Sequence, residues 1–422
     1  MPRRIADTER RRRVQGRMGF MRWIDHWLGL PICFLLGLAL TAIRRILPRR
    51  RRVISGKGTL AVFKFFGLGS ILEATPLLRA IRKRYPEARL AFVTFDGNEA
   101  LLRRLDLCTD LRIIRTKSFF AFVFDVLKQI WWLRTHRTEA AVDLEFFSKF
   151  STLMSFFSGA RVRVGFHLND FWRYSLVTHP VYFNYYRHIA DVYEQAGRRL
   201  GVEVSDHRIS RIEVGEQARR TVEESLRRHG WTPGAPLLGM NVNAGELSYE
   251  RRWPLERFAS LVQMLLDRHG DLYVVLPGSP SERQYVLPLL DRLDESVRHR
   301  AIVVAGQWSL EEFIASLSLM DGLVTNDSGP LHMGAAQGTR MVSLWGPSQP
   351  TFYSPRAPGN RVIHEDYPCS PCVCMFTTFE GMWCDHEGWC MQAIRPQTVL
   401  EAVEAMLAEA KNTARAAAEP VA

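Results

Sequence analysis

Short apolar runs alternate with longer amphipathic stretches along this chain, and the alternation begins twice. In the first series residues 60–65 read as a β-strand, followed by Gly67-Leu-Gly-Ser70 and an amphipathic helix over 71–84 that ends ahead of Pro86. Residues 90–95, 111–114, 140–144 and 162–165 continue as strands, and 185–200 as a helix. The second series has strands at 237–242, 272–276, 302–304, 322–324 and 341–344, with helices over 255–268, 281–293, 310–317 and 331–336. Such alternation predicts an α/β protein with parallel sheets covered by helices, and ligands outside the carboxyl ends of the strands. Two Rossmann-like domains are expected, over 53–210 and 234–411, facing a cleft. Polar residues 211–233, with Pro233-Gly234, read as the linker, and 412–422 as a tail.

Residues 1–52 depart from this pattern. They hold fourteen arginines and three acids, and so carry +11 of the net charge of +12. The remainder is close to neutral, which argues against a nucleic-acid face. Within this arm Trp27 to Ile43 is a run of seventeen uncharged residues with arginines on both sides. It is barely long enough to cross a bilayer, which takes roughly 17–25 residues. Basic flanks on both sides, with Gly29 and Pro31 inside the run, predict a segment that lies in or dips into an anionic, cytoplasmic membrane surface. A single span is the alternative.

Candidate chemistry lies in the loops after the strands. After residues 322–324 come Asn326, Asp327 and Ser328 as helix N-cap candidates, Pro330 for a first helical position, and Gly338 just past the helix. A strand opening into a helix N-terminus offers backbone N–H groups and positive dipole to an anion such as a diphosphate, with Asp327 and His332 beside it. The loop from Asn243 through Gly245 to Pro254 sets Arg251 and Arg252 ahead of a helix, where a bound anion explains two cations. In Pro277-Gly-Ser-Pro-Ser-Glu282, Glu282 is placed to accept from ribose hydroxyls. The first loop lacks the third glycine of a dinucleotide fingerprint, which disfavours a nicotinamide dehydrogenase.

Together these loops resemble glycosyltransferase family 9, the heptosyltransferases of lipopolysaccharide core assembly. The resemblance runs from about Thr59 to Leu407. It rests on the glycine loop with Thr75-Pro-Leu-Leu, on Arg251-Arg-Trp-Pro, on Thr325-Asn-Asp-Ser-Gly-Pro-Leu-His332, and on Trp345-Gly-Pro-Ser-Gln-Pro350. It implies a GT-B fold, an acceptor domain followed by a donor domain, and inverting transfer from a nucleotide-diphosphate sugar without a metal. By the same resemblance Asp327, Ser328, Gly329 and His332 hold the donor, Glu282 its ribose, and Arg251 neutralises the leaving diphosphate; Asn243 and Gly245, in the loop ahead of Arg251, are further donor-binding candidates. Gly67, Gly69, Ser70 and Glu73 face the acceptor.

One departure matters. Better-known members carry an Asp, proposed as the base, where this chain has Ser70, and a hydroxyl has no useful basicity near neutral pH. Asp143 and Glu145, at a strand end, are the leading substitutes, with Glu73 behind them.

Five of the seven cysteines fall within twenty-two residues: Cys369, Cys372, Cys374, Cys384 and Cys390. Their spacing, with His386 nearby, leaves a structural zinc, reduced thiols and a disulfide all open. No cofactor is expected for the chemistry itself.

The leading expectation is a transferase that adds a heptose or related sugar to a lipid-linked glycan, such as lipopolysaccharide core, on the cytoplasmic face of the bacterial inner membrane. A nucleotide-sugar 2-epimerase and a non-catalytic, membrane-tethered sugar-binding protein are the alternatives.

Overall fold

Both series of strands form six-stranded parallel sheets, and both sheets have the same order. The computed structural model describes residues 25–46, 53–146, 148–167, 176–245, 249–372, 384, 386 and 388–418. The chain divides between His207 and Arg208 into two units, each with its own core.

In the first unit the order of elements is α1 (Gly29–Ile46), β1 (Thr59–Phe63), α2 (Leu68–Glu73), α3 (Thr75–Arg84), β2 (Arg89–Phe95), α4 (Glu99–Leu105) and β3 (Asp110–Ile114). There follow α5 (Phe119–Thr135), β4 (Thr138–Asp143), α6 (Lys149–Phe157), β5 (Val162–His167), β6 (His179–Tyr182) and α7 (Ile189–Arg198). The second unit runs α8 (Glu216–Arg228), β7 (Leu237–Asn241), α9 (Leu255–Arg268), β8 (Tyr273–Leu276), β9 (Ala301–Val303), α10 (Leu310–Leu317), β10 (Gly322–Asn326) and α11 (Gly329–Gln337). It closes with β11 (Met341–Trp345), β12 (Asn360–His364) and α12 (Pro396–Ala418); shorter helical turns are left unnumbered.

The sheets read β3-β2-β1-β4-β5-β6 and β12-β11-β10-β7-β8-β9. In each, the strand order reverses between two central neighbours, β1 beside β4 and β7 beside β10. At such a switch point the loops leave in opposite directions and open a crevice. The central strands are buried along their whole length, as their unbroken apolar runs require for a sheet covered on both faces. Helices α9 and α12 cover one face of the second sheet through Phe258, Leu261, Leu265, Leu400, Val403 and Met406.

Residues 211–233, read from the sequence as a linker with a helical pattern over 216–229, hold α8, which packs on α10 inside the second unit. The pattern also gave no sign of α5, α6 or β6. Helix α5 is apolar on nearly every side and so has no single stripe to reveal it. β6 is an edge strand, where Pro180 removes no ladder hydrogen bond.

Helix α1 lies against α6, its Leu30, Cys33, Leu36 and Leu40 meeting Leu153, Phe156 and Leu176. The approach is close: a Cβ on Gly29 would stand 2.7 Å from Cβ of Lys149. Just ahead of α1 the Asp25 carboxylate accepts hydrogen bonds from the backbone N–H of Lys149 (3.1 Å) and of Phe150 (2.7 Å). An acid there satisfies donors that the first turn of α6 leaves open and complements its dipole. Replacing Gly29 by Leu should therefore detach α1. Amide hydrogen exchange should then speed up across 29–46, with protection of β1 and β4 unchanged; equal protection of α1 in the variant would refute the contact.

Candidate functional site

At the switch point of the second sheet, two asparagines tie the strand ends together. Nδ2 of Asn241, the last residue of β7, donates to Oγ1 of Thr325 (2.9 Å), to Oγ of Ser328 (3.0 Å) and to the carbonyl of Asn243 (3.1 Å). Nδ2 of Asn326, the last residue of β10, donates to the same carbonyl (3.2 Å), and its Oδ1 accepts from the backbone N–H of Trp253 (3.0 Å). Trp253 is fully buried and donates from Nε1 to the carbonyl of Ile394 (3.1 Å). A buried polar network whose members are paired is rigid, so the turn carrying Arg251 is fixed to the end of β10.

The two cations of that turn have different fates. Arg251 donates from one guanidinium nitrogen to the carbonyl of Asp327 (2.8 Å) and to its carboxylate (3.3 Å), both side chains being largely buried. Arg252 turns away and lies over the rings of Tyr249 (4.3 Å) and Tyr285 (4.2 Å), a cation–π arrangement. Beside Arg251, α11 begins with Ser328 at its N-cap and Pro330 in the first turn, as the sequence predicts, and Gly338 ends it in the left-handed region at φ 76°. The Ser328 hydroxyl donates to the carbonyl of Asn326 (3.2 Å) and does not cap the helix. The N-terminus of α11 thus carries its positive end uncapped by its own serine, next to a guanidinium. His332 is buried one turn in.

On the other side of β7 the Asn243 side chain is buried, and neither its Nδ2 nor its Oδ1 has a hydrogen-bond partner. A buried amide left unpaired costs about 1–3 kcal/mol, so an unmatched one marks a place where something else completes it. Gly278 makes room for it: a Cβ there would stand 3.1 Å from Nδ2 of Asn243 and 3.4 Å from Cβ of Glu282. Glu282 accepts from the backbone N–H of Ser279 (2.7 Å) and is half-exposed. Gly245 is exposed, with Arg251 as its near neighbour. The structure therefore gathers Arg251, Asp327, Ser328 and Gly329 at one edge of the switch point, and Asn243 with Glu282 at the other.

The first sheet tells a different story at its own switch point. Glu145 is buried, and its Oε1 accepts from the backbone N–H of Phe65 (2.7 Å) and of Phe66 (3.0 Å) and from Nζ of Lys64 (3.0 Å). Asp143, equally buried, accepts from the N–H of Glu145 (3.0 Å), Oγ of Ser151 (3.0 Å) and Oγ1 of Thr152 (3.1 Å). Both acids, expected from the sequence as candidate bases, sit here at or just past the end of β4. Both are sealed from solvent and committed to holding the β1 loop and the first turn of α6. Ser70 donates to the carbonyls of Phe66 (3.1 Å) and Gly67 (2.9 Å), which closes the turn into α2. Gly67 holds φ 82°, and a Cβ on it would meet Oγ of Ser70 at 2.6 Å, so this turn requires glycine. Gly69 shares the turn; Glu73, at the end of α2, is buried.

Of the cysteine cluster, Cys374 lies outside the described residues, and Cys369, Cys372, Cys384 and Cys390 are free thiols. Burial, with Cys372 and the other nearby thiols adding to it, pushes Cys390 up to about 11. Among the described residues no group of three or more His, Cys, Asp or Glu is arranged to hold a metal ion.

Sequence reasoning passed over Lys64 and Asn241, and read Asn326 only as an N-cap candidate and Trp253 only as part of a motif. Each interrupts or ends an apolar strand or starts a helix, and a polar residue at a strand end inside a buried sheet was the available signal.

The profile of Glycosyltransferase family 9 (heptosyltransferase) matches residues 138–382, more than half of the chain. Lipopolysaccharide heptosyltransferase 2 of Escherichia coli (strain K12) is 26% identical over 306 residues, which cover 70% of this chain and 85% of that protein. Lipooligosaccharide heptosyltransferase 2 of Haemophilus influenzae is 28% identical over 152 residues, 36% of this chain and 43% of its own length. Among solved structures, a glycosyl transferase family 9 protein from Veillonella parvula DSM 2008 superposes with TM-score 0.70 at 23% identity, covering 85% of this chain and all of that one. The E. coli ADP-heptose lps heptosyltransferase II gives 0.64 at 22%, with 84% and 99% covered. These likenesses give the chain the GT-B fold.

The Glu145 contacts make a direct prediction. Replacing Glu145 by Ala leaves Lys64 buried without a counter-charge and two N–H groups unpaired, and should cost about 3–5 kcal/mol. Replacing Ser70 by Ala should cost less than about 1.5 kcal/mol, the range of one exposed hydrogen bond. Thermal unfolding of the two variants checks the contrast; similar midpoints would refute it.

Proposed function

The chain belongs to glycosyltransferase family 9, and on that footing we propose that it moves a heptose or related sugar, with inversion, from a nucleoside-diphosphate sugar to a lipid-linked glycan of the lipopolysaccharide core. The orphaned amide of Asn243 carries the donor half of this reading. It and Glu282 offer donors and acceptors to the hydroxyls of a ribose. The uncapped start of α11 and Arg251 offer positive charge to a diphosphate across the same crevice. As the bond from the anomeric carbon to the diphosphate breaks, negative charge grows on the leaving oxygen. Arg251 and the helix dipole stabilise it there, where little water competes. Asp327 keeps Arg251 aimed beside the start of α11.

The acceptor hydroxyl attacks the same carbon from the opposite side, and its proton passes to a carboxylate. Asp143 and Glu145 are committed elsewhere, and Ser70 has no basicity to offer. Asp96, half-exposed at the carboxyl end of β2 and held by Oγ1 of Thr116 (2.9 Å), takes this role in our reading. The heptosyltransferase relatives are named for lipopolysaccharide and lipooligosaccharide, which supports an amphiphilic acceptor. Among the described residues one helix, Asp25–Ile43, is long and apolar enough to cross a membrane. Packed lengthwise on α6, and followed by the arginines at 44, 45 and 49–52, it suits the cytoplasmic surface of an inner membrane better than a span.

Calorimetric titration of the full chain with ADP, UDP and GDP tests the donor site. One diphosphate should bind, and Asn243→Ala should weaken it by about tenfold, the value of one to two lost hydrogen bonds, without lowering the unfolding temperature. An affinity unchanged by that substitution, or binding of none of the three, would sink the donor assignment. With an acceptor in hand, Asp96→Asn should lower kcat by about 10²–10⁴-fold while KM for the donor holds, the range of a lost general base. An unaltered kcat would remove Asp96 from the mechanism.

A further inference from the structure

Helix α5 presents large apolar side chains on both of its faces. Phe122, Val126, Ile130 and Leu133 join the core over the first sheet. On the opposite side Phe120 (83% exposed), Phe124 (61%), Leu127 (62%) and Trp131 (65%) face outward, with Phe119 beside them. Their spacing of four, three and four residues makes one stripe along the helix, about 16 Å long at ~1.5 Å per residue. A contiguous exposed patch of this kind marks an interaction surface.

The stripe is not isolated. Helices α5 and α6 pack side by side on the same face of the sheet, with Phe122 against Phe150. Helix α1 packs against α6 in turn and shows solvent a row of its own, Leu28, Phe34, Leu35 and Leu38 among it. Two of three neighbouring helices thus turn apolar rows away from the sheet. The charge around them is mostly basic. Lys117, Lys128 and Arg134 lie along or next to α5, and its acid, Asp125, is paired with Arg115 (2.8 Å). The arm of residues 1–52 adds +11.

We propose that α5 is a second membrane-contacting helix, so that α1 and α5 dock one face of the first unit on an anionic lipid bilayer, the Phe120-Phe124-Leu127-Trp131 stripe entering the acyl boundary. The inference rests on the reading of α1 as a membrane element and extends it to a helix in the middle of the catalytic unit. Aromatic rings suit this depth, and basic side chains at the rim meet the headgroups. The observations favour lipid over a second copy of the chain, because basic residues flanking both helices would repel their own copies.

The test uses the full chain with vesicles of phosphatidylethanolamine and phosphatidylglycerol, read by flotation. The triple variant Phe120→Ser, Phe124→Ser, Trp131→Ser should bind at least about tenfold more weakly than wild type, since binding scales with the apolar area inserted. Its unfolding temperature and its affinity for ADP should match wild type, because the three side chains are exposed and lie outside the donor site. Brominated phospholipid should quench a share of the wild-type tryptophan emission that Trp131→Phe lacks. Equal vesicle binding by the variant would overturn the role of α5 and leave that of α1 standing. A wild-type chain that does not bind vesicles at all would overturn both. A dimer seen by light scattering that becomes a monomer in the triple variant, with vesicle binding unchanged, would reassign the stripe to a contact between copies.

Discussion

The carbonyl of Asn243 receives hydrogen bonds from two asparagines, one ending β7 and one ending β10, and the candidate site in the second unit depends on that junction. Parallel strands diverge in their connections at the switch point, so nothing in the ladder itself holds the loops above it. The amides of Asn241 and Asn326 supply the missing ties. Through Trp253 they fix Arg251, and through Ser328 they fix the start of α11. Side chains 76 residues apart in sequence, Arg251 and Asp327, therefore meet within 3.3 Å. The turn and the start of α11 are held in fixed relation by these ties.

The first sheet uses the same crevice differently. There the switch point is filled by Glu145 and its three donors. The second sheet leaves a buried amide open beside Gly278, whereas the first leaves nothing open between β1 and β4 among the described residues. One sheet order thus carries an unpaired buried amide in one unit and a hydrogen-bonded carboxylate in the other. The difference comes down to which polar residue ends the central strand.

Much of this was legible in the chain. The strands of both sheets are apolar enough to be read directly, and the N-cap, proline and glycine around α11 gave its limits to within a few residues. Arg251 meets Asp327 at the start of α11. What escaped the pattern did so for physical reasons. Helix α5 carries no polar face to set its period. The roles of Asp143 and Glu145 turned on hydrogen bonds to residues nearly eighty positions away or on the next helix, and no local signal reports whether a carboxylate is already spent. Arg251 and Arg252 are adjacent and chemically identical, and only the positions of Tyr249 and Tyr285 separate the one facing Asp327 from the one laid on aromatic rings.

The first turn of α6 meets both ends of the molecule's division of labour. Its backbone N–H groups are held by Asp25 from the N-terminal arm, while its Ser151 and Thr152 hydroxyls reach Asp143 at the central strand end. The arm is in this sense a structural part of the unit it precedes. A version of the protein shortened at residue 52 for easier handling would lose a cap of about 1 kcal/mol. It would also uncover Leu153, Phe156 and Leu176, the side chains that α1 shelters. Solubility gained by trimming the greasy leader would be offset by a new sticky surface, one turn of helix away from the carboxylate that steadies β4.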